Sequence, residues 1–121
     1  MNSVTDYIEG RPKEEQQLWW YLHELLTEEV GLEPKIRHKI PFYYGRSWIC
    51  YLNAMPANAI EIAFLRGIEL SNIQGLPLQA ENRKMVRGVI VNSTTEPERE
   101  TLLEVIQEAV LLDELPKGEA D

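Results

Sequence analysis

Cysteine and histidine are scarce in this chain. Cys50 is the one cysteine, and His23 and His38 are the two histidines. No internal disulfide can form, and the clustered Cys and His ligands of a structural zinc site are missing. Cys50 lies among Trp48, Ile49, Tyr51 and Leu52, which reads as a thiol buried in a strand. Long apolar runs are lacking too, since no stretch approaches the roughly 18 residues of a membrane span. The segment Met1–Asp6 has neither the basic start nor the apolar run of a secretory signal, so a cytoplasmic protein is expected. Without such a signal the acceptor pattern Asn92-Ser93-Thr94 carries no weight. Gly45-Arg46-Ser47 begins like a nucleophile elbow, but Ile49 stands where that motif needs glycine, and no phosphate-cradling or dinucleotide-binding glycine pattern occurs. The expectation is a protein with no catalytic residues, no cofactor and no metal site.

What the chain does have is charge sorted by position. Residues 1–30 carry seven acids and two bases, residues 96–121 nine acids and two bases, and the middle eight bases and four acids, giving the net charge of -8. If the acidic ends are helices and the basic middle is a sheet, the molecule has two surfaces of opposite sign. A chain of 121 residues with 44% hydrophobic content buries about two thirds of its unfolded surface, enough for one core. One domain is expected over residues 1–115, followed by a loose tail over 116–121.

Ser3 with Asp6 three residues on resembles a capping box, and Gly10 closes a short helix over residues 4–9. Pro12 suits the start of a second helix, and Leu18, Trp19, Leu22, Leu25, Leu26 and Val30 share one face of it before Gly31 stops it. The period then becomes two. Ile36, His38 and Ile40 alternate with Lys35, Arg37 and Lys39, which predicts a single strand with one apolar and one cationic face. On that pattern His38 is expected as a hydrogen-bonded core histidine. Pro41 interrupts the ladder and implies an edge or a bulge. Further strands are expected over residues 48–55, 59–65 and 85–92, with turns at 45–47 and 56–58.

Residues 66–84 are too long for a hairpin loop and read as an ordered flap with a short helical turn, anchored by Ile68, Leu70, Ile73 and Leu76. Thr95, Pro97 and Glu98 announce a last helix, with Leu102, Val105, Ile106, Ala109 and Val110 on one side. The predicted fold is a two-layer α+β domain, an antiparallel four-stranded sheet with the N- and C-terminal helices on one face. Leu22, Ile36, Ile60, Ile62 and Ile106 are expected to share its core.

The cationic strand face carries the functional expectation. Lys35, Arg37 and Lys39 point one way, and Arg87 with Lys84 or Arg83 is expected to join them; the alternative is that Arg37 or Arg87 pairs with Glu61 across the strands. Arg37, Lys39, Arg66 and Arg87, with Tyr43 and Trp48, are the expected ligand-binding residues, and an anionic small molecule or an acidic protein segment is the expected partner. Nucleic acid is not, because phosphate attraction would oppose the acidic helices, and neither is a membrane. Ser47 reads as a turn residue. Of the adjacent Trp19 and Trp20, one must lie partly outside the core. Glu100, Glu104 and Glu108 form an acidic stripe and Glu24 and Glu28 repeat the spacing, either a solvated face or weak oxygen ligands for a hard cation or iron.

The runs Lys35-Ile36-Arg37-His38-Lys39-Ile40-Pro41-Phe42-Tyr43, Ile60-Glu61-Ile62-Ala63-Phe64-Leu65-Arg66-Gly67 and Arg83-Lys84-Met85-Val86-Arg87, followed by a helix, resemble the YdhG-like family of domains of unknown function over nearly the whole chain. That family commonly has Trp where this chain has His38. The resemblance implies the fold shared by YdhG, YjbR and CyaY, the last being bacterial frataxin, with helices on one side of an antiparallel sheet. It implies no catalytic residues. It adds, by analogy of fold, the alternative of a frataxin-like iron chaperone using the helix carboxylates.

Overall fold

The structure, a computed structural model, describes residues 3–116; of the tail expected over 116–121, residues 117–121 lie outside the described residues. Helix α1 (Val4–Glu9) opens with the expected capping box, Ser3 Oγ accepting from the Asp6 N–H at 3.1 Å and the Asp6 carboxylate from the Ser3 N–H at 3.4 Å. Helix α2 (Lys13–Glu24) runs into a π-helical turn over Leu25–Glu29, in which the Val30 N–H reaches the Leu25 carbonyl. Gly31, at φ 89°, takes the left-handed conformation that ends the segment. Helix α3 spans Arg99–Asp113.

Five strands lie between, not four. They are β1 (Glu33–Arg37), β2 (Ile40–Tyr44), β3 (Trp48–Ala54), β4 (Ile60–Phe64) and β5 (Arg87–Val91), joined as one antiparallel sheet in the order β1-β2-β3-β4-β5. The extra strand arises because the expected first strand folds back on itself. His38 and Lys39 have φ of 52° and 68°, and Arg37 pairs with Ile40, so these two residues form a tight hairpin turn of the type needing positive φ at both central positions. Such a turn normally announces itself through Asn or Gly, and neither is present. His38 is therefore exposed at a hairpin tip, and its expected place in the core is corrected. Pro41 sits in the inner strand β2, yet its ladder partner is Ile36 on β1, and the ladder to β3 begins only at Phe42 opposite Tyr51. Its missing N–H therefore breaks no ladder bond.

One face of the sheet belongs to the core. Cys50 opposite Phe64, Leu52 opposite Ile62, Ile62 opposite Val89 and Ile60 opposite Val91 form one buried cluster with Tyr43, with Val4 and Ile8 of α1, with Leu18, Trp19 and Leu22 of α2, and with Leu102, Val105 and Ile106 of α3. Ile36 packs against it. Each fully buried side chain of this size contributes about 1.5–3 kcal/mol. Trp19 is the buried member of the tryptophan pair, its indole N–H on Glu15 at 3.1 Å, and Trp20 is half-buried.

The connection from β4 to β5 is an ordered strap with a short 3-10 turn at Gly67–Glu69. Ser71 is held by Glu108 of α3, its N–H at 2.8 Å and its hydroxyl at 3.1 Å, and Gln74 reaches Glu104 at 3.4 Å. The strap then pairs Gln79 with Gly88 on the outer side of β5. At the other end of α3, Arg66 donates to the Leu112 and Leu115 carbonyls, and Asp113 accepts the Arg46 and Ser47 N–H groups at 2.6 and 3.2 Å together with the Ser47 hydroxyl. Ser47 is thus a turn residue pinned to the helix end.

Candidate functional site

Strand alternation places Glu33, Lys35 and Arg37 of β1, Phe42 and Tyr44 of β2, Trp48, Tyr51 and Asn53 of β3, Glu61 and Ala63 of β4, and Gly88 of β5 on the second face of the sheet. Its aromatic rings touch in sequence: Tyr44 on Trp48 at 4.9 Å, Trp48 on Phe42 at 5.7 Å, and Phe42 stacked on Tyr51 at 4.8 Å. The Arg37 guanidinium lies over this row, 4.5 Å from the Trp48 centroid and 5.1 Å from that of Phe42, within cation–π range of both rings. At the far end of the row Glu61, 3% exposed, accepts from Asn53 at 2.9 Å and from Arg83 of the strap at 2.6 and 3.3 Å. Those bonds to Glu61, with a further one to the Tyr51 hydroxyl, raise the Arg83 pKa. Gly88 gives this carboxylate its room, because a Cβ there would lie 1.7 Å from Glu61 Oε2.

The six expected ligand-binding residues do not assemble on one face. Arg37 and Trp48 meet there as anticipated. Tyr43 is on the core face, 0% exposed, its hydroxyl 2.9 Å from His23 Nδ1; the bulge that sets Tyr44 opposite Trp48 follows it, and the strand's alternation turns its ring inward. Arg66 is used as a cap on α3 and pairs with Glu69 at 2.7 Å. Arg87 is paired in register with the core residue Phe64 and donates to the Arg83 and Val86 carbonyls at 3.0 and 2.7 Å. Lys39 sits in the β1–β2 turn, beside a cavity of about 460 Å³ lined by Asp6, Tyr7, Gly10, Arg11 and Ile36. Glu61 pairs with Arg83, not with Arg37 or Arg87. Gly88 inside a strand pattern was the available signal that something packs closely over that position.

A second cavity, of about 320 Å³, lies between α1 and β1 and is lined by Ser3, Val4, Thr5, His23, Pro34, Lys35 and Ile36. His23 is 8% exposed. Burial lowers its pKa from 6.5, against the opposing pull of Glu24 and Glu28, while burial raises the Tyr43 phenol and the Cys50 thiol. A phenol this deep must donate, so the Tyr43 O–H is assigned to His23 Nδ1 and the proton of the neutral imidazole to Nε2. The folded state then holds the His23 proton more weakly than the unfolded chain does. Stability is full above the ordinary histidine pKa and falls as pH drops below about 6.5. Urea unfolding at about pH 7.5 and about pH 5.5 should show this fall, and His23→Gln should flatten it; an equal fall in both proteins would assign the effect elsewhere.

Of the acidic stripe, Glu104 and Glu108 are engaged by Gln74 and Ser71 of the strap. Among the described residues no three Asp, Glu, His or Cys side chains converge on a point that could hold a metal ion, and no helix is long and apolar enough to cross a membrane. Fold and site together define an α+β domain built on an antiparallel five-stranded meander, one face of which carries a row of aromatics under an arginine. No family model, no curated protein and no solved structure matches the chain.

Proposed function

We propose that this chain is a cytoplasmic, non-enzymatic binding domain whose helices form a layer on the core face of the sheet and whose second face takes an anionic group. The observation that carries the reading is the state of Arg37. Arg11, Arg66, Arg83 and Arg99 are in ion pairs with Glu15, Glu69, Glu61 and Glu29, and Arg87 is spent on carbonyls. Arg37 is in none of these ion pairs and lies on the Trp48 and Phe42 rings, so its fork is set for bidentate contact with a carboxylate or phosphate. Lys35 adds charge on the same face. A frataxin-like use of the helix carboxylates is less well supported, because Glu104 and Glu108 already tie the strap to α3.

Titration with phosphate, citrate and an oligoglutamate peptide, followed by NMR, tests the reading. The Trp48 indole and Arg37 side-chain signals should move together. A charge-assisted hydrogen bond is worth about 1.5–3 kcal/mol, so Arg37→Ala should weaken binding by roughly tenfold or more. Unmoved signals at millimolar ligand would end this proposal.

A further inference from the structure

The two edges of the sheet are treated differently. At β5 the strap covers the edge, with Gln79 and Gly88 exchanging N–H···O bonds of 2.8 and 2.9 Å. Among the described residues no strand lies outside β1. The two-residue turn at His38–Lys39 makes Arg37 and Ile40 a hydrogen-bonded pair, so Lys35 and Arg37 direct their backbone groups at β2, and the alternate residues Pro34 and Ile36 direct theirs outward. Pro34 fits this phase, since its missing N–H would have faced away from the sheet. Ile36 therefore presents one N–H and one C=O at an edge whose second-face side chains are Glu33, Lys35 and Arg37, the two cations flanking Ile36 itself. The two cavities between α1 and the β1 region are both lined by the Ile36 side chain, on the core face.

We infer that β1 is a docking edge for an extended acidic segment of another protein, which adds to the sheet as a further strand beside Ile36. The inference rests on the anion-binding reading of the second face and extends it to the partner and its geometry. Side chains of an added strand alternate between faces. Those on the second face meet Lys35 and Arg37 and are acidic. Those on the core face meet Ile36, one cavity where Val4 and Pro34 are joined by Ser3, Thr5 and His23, and a second where Tyr7 is flanked by Asp6 and Arg11, and a small side chain such as valine fits against Ile36. A second copy of this chain does not fit the edge as well, because antiparallel pairing of β1 with β1 centred on Ile36 sets Lys35 against Arg37 of the copy.

The test uses a synthetic peptide of alternating glutamate and valine, with alternating glutamine and valine as the neutral control. Binding should slow hydrogen exchange at the Ile36 amide, shift the Trp48 and Arg37 signals, and weaken at least tenfold in the control. Ile36→Pro, which removes the outward donor and leaves every charge, should weaken binding about tenfold while its free spectrum stays folded. The unsubstituted protein's Ile36 exchange decides the matter even if that variant does not fold. Shifts at Arg37 and Trp48 with Ile36 exchange unchanged would overturn the docking edge and leave the second-face reading standing. Silence at all three sites would overturn both, and a β1-to-β1 dimer seen by sedimentation would overturn the choice of partner.

Discussion

Replacing Arg83 by alanine should destabilise the domain by up to about 3–5 kcal/mol, the usual cost of leaving a buried charge, here that of Glu61, without its partner. The guanidinium meets both Glu61 oxygens and also donates to the Gln79 and Ala80 carbonyls at 3.0 and 2.9 Å. Without it Glu61, 3% exposed, keeps only the Asn53 amide at 2.9 Å among these bonds. The strap also loses its fastening to the second face, so amides over residues 70–86 should exchange faster than the sheet. Exchanging both partners for methionine should recover most of the stability, since a matched apolar pair leaves no stranded charge. Urea unfolding reads all three proteins. A loss below about 1 kcal/mol would put this pair in the class of solvent-exposed bridges.

Gly88→Ala should cost about 3 kcal/mol through the same contact, combining overpacking with displacement of the carboxylate. The new Cβ would lie 1.7 Å from Glu61 Oε2 and 2.4 Å from its Cδ, so the Glu61 side chain must swing off Arg83. In a Glu61→Ala background that obstacle is gone, and alanine should then be neutral or slightly better than glycine in a strand. The double-mutant cycle should show a coupling well above the roughly 0.5 kcal/mol scatter of independent sites. Additive costs would mean that Gly88 is needed for its backbone rather than for the space above it.

Periodicity carried most of the architecture. Apolar spacing marks α2 and α3 with their inward faces and alternation marks β4, because a helix or strand that buries one side must repeat at its own period, while the Ser3–Asp6 capping box and Gly10 mark α1. The signal failed at residues 35–40. A pattern of period two runs unbroken through His38 and Lys39, and only their left-handed backbone, for which no glycine or asparagine gives notice, reveals the turn. Placement of the site failed for a related reason. Arg66 and Arg87 read as free cations in the sequence, but carbonyls at the end of α3 and at residues 83 and 86 take them up, and such acceptors have no sequence signature. Arg37 and Trp48 were legible because they lie on the two strands that flank β2, with their side chains on the same face.

Strand order equals chain order from β1 to β5, and that has a kinetic meaning. Native pairings close over short separations, where the entropy lost in bringing chain ends together is smallest. The His38–Lys39 turn, the residue 45–47 turn and the residue 55–59 turn each need only a brief search. The exception is β4 to β5, whose partners must wait for residues 65–86 to find their course along α3 and over the sheet. The first four strands are thus able to assemble as a local meander, and the longest closure, the one that also brings Arg83 to Glu61, is the step expected to set the pace.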